Sequence, residues 1–145
     1  VNNQKNILIL CTGNSCRSQI AEGWMRFYAK EKANVYSAGI ETHGVNPKAI
    51  ATMKEVNIDI SNHTSNHINE YKDIQFDFLI TVCDHAKENC PYFPSDAKKF
   101  HQNFTDPSKK IGTEEEIKKA FAETREEIRK YCESFTNQEL QEKTK

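Results

Sequence analysis

Apolar positions along this chain switch between two spacings. Ile7-Leu8-Ile9-Leu10 is an unbroken apolar run, the pattern of a short parallel strand buried on both faces. From Ser18 the spacing changes. Ile20, Ala21, Trp24, Phe27 and Tyr28 fall three or four residues apart and predict a helix with these five on its core face. Val35-Tyr36-Ser37-Ala38 predicts a second strand ending at Gly39. Asn46 before Pro47 predicts a helix start, with Ala49, Ile50, Met53 and Val56 on its inner face. Ile58 and Ile60 alternate with polar residues, and Ser61 to Asp73 reads as loop. Phe76 to Val82 predicts a central strand, and Lys98-Lys99-Phe100-His101 a weak edge strand. The last element carries the strongest signals. Thr113 and Glu116 form a capping box, and Ile117, Ala120, Phe121, Thr124, Ile128, Tyr131, Cys132 and Phe135 follow at helical steps.

Strands alternating with helices predict an α/β fold with a parallel sheet and ligands at the strands' carboxyl ends. No repeat and no linker rich in Gly, Pro or Ser divides the 145 residues. One catalytic domain over residues 1–145 is expected, its core at about 6–135 and a polar, fraying tail at 136–145. Such a length buries roughly two-thirds of the unfolded surface.

Composition narrows the function. Twenty Lys and Arg against 21 Asp and Glu, with no basic block, argue against nucleic acid as a partner. Apolar runs are far too short for a membrane span. Val1-Asn2-Asn3-Gln4-Lys5 has no apolar h-region, so no signal peptide is expected. Five cysteines in such a chain suggest reduced thiols in a cytoplasm, and their spacing lacks paired zinc-type units. Catalysis is the remaining use.

The segment Cys11-Thr12-Gly13-Asn14-Ser15-Cys16-Arg17-Ser18 joins the first strand to the first helix. Unpaired N–H groups and the positive end of the helix dipole meet there, favouring a bound oxyanion and a thiolate at Cys11. Arg17 brings a planar fork suited to a tetrahedral anion. Thr12, Gly13, Asn14, Ser15, Cys16, Arg17 and Ser18 are the expected oxyanion-binding residues, and Cys11 the nucleophile.

Two more cysteines extend this chemistry. Cys83 follows the central strand and should reach the same sheet edge as Cys11, and Cys90 comes seven residues later. A helix would hold Cys83 and Cys90 about 10.5 Å apart along its axis, beyond the ~7 Å limit between the Cα atoms of a disulfide. The polar segment between them would have to unwind for the two to bond. Cys83 is then placed to resolve an adduct on Cys11, and Cys90 to carry the oxidation away. Asp106 before Pro107 is a candidate proton donor, although on local sequence alone a plain Asx turn is the stronger explanation. Cys16 is either a spectator or a protective disulfide partner of Cys11. Cys132 reads as core, and His63 and His67 as exposed polar side chains rather than metal ligands.

These residues carry a resemblance. The anion loop at 11–18, Tyr36-Ser37-Ala38-Gly39, Asn46-Pro47, Asp59-Ile60-Ser61 and Asp106-Pro107 resemble the low-molecular-weight tyrosine phosphatase superfamily. The pair Cys83 and Cys90 resembles its thioredoxin-coupled arsenate reductase branch, which acts in arsenic resistance. The resemblance covers about residues 6–135. It implies a three-layer sandwich with a four-stranded parallel sheet flanked by helices. It also implies catalytic roles for Cys11, Cys83, Cys90, Arg17 and Asp106, with Ser18 helping to stabilise the thiolate. Arsenate would be the substrate, phosphate or sulfate its analogues, and thioredoxin or a similar thiol carrier the partner of a monomeric enzyme.

No tightly bound cofactor is implied. Members of the branch can bind potassium, and Asn14, Glu22 and Ser37 match that site. The usual aspartate is here Asn66, which lacks the charge. Ser108 also stands where the phosphatases carry tyrosine, against phosphotyrosine proteins as substrates. Three functions follow for test: arsenate reductase, phosphatase working through a phospho-cysteine, and thiol redox sensor.

Overall fold

The structure, a computed structural model, describes residues 4–84 and 97–140. The expectations about Cys90 and about the segment between Cys83 and Cys90 therefore fall largely outside the described residues. Four strands form one sheet: β1 (Lys5–Cys11), β2 (Ala33–Gly39), β3 (Phe78–Thr81) and β4 (Lys98–His101). The described helices are α1 (Arg17–Ala29), α2 (Pro47–Lys54) and α3 (Glu114–Glu139). Short 3-10 turns occupy Lys30–Lys32, Ile68–Tyr71 and Pro107–Lys109.

All pairings are parallel and the strand order is β2-β1-β3-β4. From β1 the chain leaves to one side for β2 and returns to the other for β3. The carboxyl end of β1 is thus the point where the strand order reverses, where open α/β sheets bind ligands.

The pleat sorts β1 between two cores. Ile7, Ile9 and Cys11 face the layer built by α1, α2 and α3, with Ile20, Trp24, Met25, Met53, Phe121, Ile128 and Cys132. Leu8 and Leu10 face the other layer, with Ala38, Ile68, Phe76, Leu79 and Ala97. An unbroken apolar run is what a strand covered on both faces requires.

Helix ends follow their sequence signals. Asn46 caps α2 by accepting from the Lys48 N–H at 2.8 Å, with proline in the first turn. In α3, Glu116 N–H donates to the Thr113 hydroxyl at 3.2 Å and Thr113 N–H to Glu116 at 2.9 Å. Two expectations need correction. Phe27 is 52 % exposed and Met25 takes the core position, because α1 is covered by both the sheet and α3, which turns its inner face toward 20, 21, 24 and 25. The last helix does not fray at 136 but runs to Glu139, where Thr136 and Leu140 are buried. Ile58 and Ile60 pack beneath Gly23 of α1, whose missing Cβ leaves room for them. Among the described residues no helix is long and apolar enough to cross a membrane.

Candidate active site

The loop from Thr12 to Cys16 is shaped by where its carbonyls point. Thr12 O accepts from Glu41 N–H at 2.9 Å, Gly13 O from His43 N–H at 3.0 Å, and Ser15 O from Asn46 N–H at 2.9 Å. Asn14 O accepts from Gln19 Nε2 at 3.0 Å and Cys16 O from Ile20 N–H at 2.9 Å. Ser65 adds a hydroxyl to Gly13 O at 3.1 Å. Five consecutive carbonyls are bonded outward. In a trans peptide the next N–H points the opposite way, and no peptide is cis among the described residues. The following amides are therefore turned inward, toward the place an oxyanion would take.

Two residues make this path possible. Asn14 sits at φ 48° and is fully buried, a left-handed conformation that asparagine tolerates better than most. Its side chain donates to Ser18 and Ser37 at 2.9 Å each and accepts from Asn66 N–H at 2.7 Å. Gly39 is pressed against the loop. A Cβ there would lie 2.4 Å from Glu41 O, 2.7 Å from Thr12 O and 2.8 Å from Asn14 N, all main-chain atoms.

Cys11 ends β1 and is 4 % exposed; Cys83 lies beyond β3 and is 2 % exposed. Both are reduced, as are Cys16 and Cys132. The Cys83 thiol lies close enough to act on the Cys11 thiol, and the Thr12 hydroxyl reaches Cys83 Sγ at 3.3 Å. The Cys83 thiol and burial push the Cys11 thiol up, while Arg17 and the Thr12 N–H pull it down. This differs from the depressed value expected from the turn alone. The turn supplies the expected field, but a second thiol lies against Cys11 and both are buried, which disfavours the charged form. Burial, with Asp106 adding to it, pushes Cys16 up to about 12, so it is poorly suited to attack.

Arg17 opens α1 and closes the pocket from the far side. Its guanidinium donates to Phe104 O at 2.9 Å and lies 3.6 Å from Asp106 Oδ2. Asp106 serves two ends. Oδ1 accepts from Ser108 N–H at 2.9 Å and from its hydroxyl at 2.6 Å, the Asx turn, while Oδ2 faces Arg17. The structure thus brings Cys11, Cys83, Arg17 and Asp106 to one end of the sheet. Sequence reasoning missed Gln19, Ser65 and the Phe104 carbonyl, which only the folded loop identifies.

The positions matching a potassium site also converge. Ser37 donates to Glu22 at 2.6 Å, and Asn14 donates to Ser37. Beside them lies a cavity of about 160 Å³ whose walls include Arg26, His63, Thr64 and Asn66. The residues present do not fit the ion. Arg26 already neutralises Glu22 at 2.8 Å, Asn66 directs its amide nitrogen to Glu70 at 2.9 Å, and Asn14 Oδ1 is taken by the Asn66 N–H. His63 is not the exposed side chain expected: it is largely buried, 3.0 Å from Gln19 Oε1 and 3.7 Å from Glu22. Burial holds His63 below the usual histidine range, against the opposing pull of Glu22. His67 caps the turn at Ile68–Tyr71.

Known proteins resemble this chain in sequence and fold. The family model for low molecular weight phosphotyrosine protein phosphatase matches residues 6–145. Arsenate reductase 2 of Staphylococcus saprophyticus is 53 % identical over 132 residues, covering 91 % of this chain and 96 % of the relative. Arsenate reductase of Halalkalibacterium halodurans is 49 % identical over 133 residues, covering 92 % and 96 %. A solved arsenate reductase in its oxidized state superposes with a TM-score of 0.80 at 29 % identity, over 93 % of this chain and 98 % of that one. The low molecular weight tyrosine phosphatase of T. tengcongensis, at 22 % identity, shares the fold over 93 % and 99 % with a TM-score of 0.77. With its anion loop, its buried thiols and these relatives, the chain belongs to the low-molecular-weight phosphotyrosine protein phosphatase family, alongside that family's arsenate reductases.

Proposed function

We propose that this protein reduces arsenate to arsenite through Cys11, Cys83 and Cys90. The observation that carries the reading is the pair of buried thiols at the end of β1 and just past β3, with Cys83 Sγ against the Thr12 hydroxyl of the anion loop at 3.3 Å. A phosphatase needs the first thiol and has no use for the second. Arsenate docks on the inward amides and Arg17, and Cys11 sulfur attacks arsenic. Asp106 Oδ2 protonates the departing oxygen, which leaves as water. Cys83 thiolate then attacks Cys11 Sγ. The S–S bond forms, the S–As bond breaks, and its electron pair stays on arsenic, so As(V) departs as As(III) arsenite. Cys90 attacks Cys83, freeing Cys11, and an external dithiol such as thioredoxin reduces the resulting disulfide. Such a cycle belongs in a reducing compartment such as the cytoplasm. Potassium is given no part: Arg26 supplies the counter-charge to Glu22.

Phosphate has the same shape and charge, and Cys11, Arg17 and Asp106 suffice for slow aryl phosphate hydrolysis through a phospho-cysteine. The test follows NADPH consumption with arsenate, thioredoxin and thioredoxin reductase, leaving out each in turn. Turnover should require all of them. Aryl phosphate hydrolysis without any arsenate-dependent NADPH consumption would instead select the phosphatase.

A further inference from the structure

The main-chain pairing that fixes β3 runs as far as Val82, whose N–H donates to Leu10 O at 2.9 Å and whose carbonyl accepts from Phe104 N–H at 3.1 Å. Past it, side chains from β4 and the residues after it grip the chain. His101 lies opposite Thr81 in the β3–β4 register. Its Nδ1 is 2.7 Å from the Thr81 hydroxyl, and its Nε2 is 2.6 Å from Asp84 Oδ1. The carboxylate only accepts, so Nε2 carries the proton and donates it. Asn103 Oδ1 accepts from the Asp84 N–H at 3.0 Å. One imidazole ring therefore joins residues 81 and 84, which bracket Cys83.

A hydroxyl–imidazole–carboxylate row also suggests a nucleophilic relay, and the surroundings reject that reading. Thr81 is a buried strand residue paired on both sides, and Asp84 is 64 % exposed where an orienting acid is normally buried. Nor does stability explain the contact, since an ion pair with so exposed a carboxylate adds little.

We infer that His101 is a positioning residue for Cys83: by clamping Thr81 and Asp84 on either side of it, the ring aims Cys83 Sγ at the sulfur of Cys11. This deepens the arsenate reductase reading and rests on it. The step it serves is the resolving attack, in which two thiols become the Cys11–Cys83 disulfide and the displaced electron pair reduces arsenic. Attack on sulfur demands alignment along the breaking bond, and a misplacement of about 1 Å can cost as much as 10²-fold. Oxyanion binding at the loop does not use the clamp, because the His101 ring bonds Thr81 and Asp84, whereas the loop carbonyls from Thr12 to Cys16 are bonded by Glu41, His43, Asn46, Gln19 and Ile20.

The test is a single turnover. Reduced full-length protein is mixed with excess arsenate without external reductant and quenched with a thiol-alkylating reagent, and the loss of thiols is timed. Binding of inorganic phosphate is measured in parallel. His101→Leu and Asp84→Ala should each slow thiol loss by about 10-fold or more while phosphate affinity stays at the parent value. Asp84→Asn keeps an acceptor for Nε2 and should restore most of the rate. Thiol loss at the parent rate in His101→Leu overturns the inference. So does a joint fall of thiol loss and phosphate affinity, which would mark His101 as merely structural. Cys83→Ser in the same assay separates the underlying reading: if it still loses thiols and yields arsenite at the parent rate, the relay itself fails, whatever His101 does.

Discussion

The two cysteines that meet in the pocket are held in different ways. Cys11 opens a loop in which five carbonyls are bonded to the β2–α2 connection, to Gln19 and to α1. Cys83 leaves a four-residue strand and is steadied by side chains: Thr12 at its sulfur, His101 and Asn103 at the residue that follows. Main-chain bonding suits a group whose geometry must not vary between substrate and product. Side-chain bonding suits one that must approach a neighbour, bond to it and leave again. The difference matches the division of labour proposed for them.

Substitutions can break that comparison. Cys11→Ser should remove both arsenate reduction and aryl phosphate hydrolysis; residual turnover of either kind would mean another nucleophile. Cys83→Ser should stop multiple-turnover reduction in the NADPH-coupled assay and leave aryl phosphate hydrolysis intact. Equal losses would show that the two cysteines belong to one rigid unit. Arg17→Lys keeps the charge and loses the fork, and should lower both activities by about 10²–10³-fold. Gly39→Ala drives a methyl into three main-chain atoms of the loop and its support. It should cost roughly 3 kcal/mol in urea unfolding and weaken phosphate binding together. Unchanged phosphate affinity would show that the loop does not depend on its main-chain frame. Thr113→Ala, far from either thiol, should cost about 1 kcal/mol and leave both activities alone.

The sheet was legible because each strand announces itself by a local pattern. Ile7–Leu10 and Phe78–Ile80 are apolar runs, Val35–Ala38 is a short run broken only by Ser37, and all three lie in strands. The Thr113 box and the Asn46-Pro47 start are equally local, and both caps form. Phe27 was misread because periodicity gives the inner face of a helix only approximately. Which of two neighbouring stripes is covered depends on how α3 lies across α1. In the site, the loop and Arg17 could be read from one stretch of chain. The raised Cys11 thiol pKa could not, because its main cause, Cys83, is 72 positions away and arrives through the sheet. His63 was misjudged for the same reason: its burial comes from Gln19 and Glu22 on α1.

The strand order has a last consequence. β1 and β3 are immediate neighbours, and in a sheet such neighbours lie ~4.8 Å apart whatever their side chains. The spacing of the two chain segments from which the sulfurs hang is thus inherited from the ladder itself, as the spacing of rungs is inherited from the rails. A tethered thiol at that range competes as though present at enormous concentration, with effective molarities reaching ~10⁵ M or more in well-aligned cases. In the proposed relay, dissolved thiols at cellular levels would reach the arsenic-bearing sulfur too rarely to intercept it, and the hand-off would stay inside the molecule until its final disulfide.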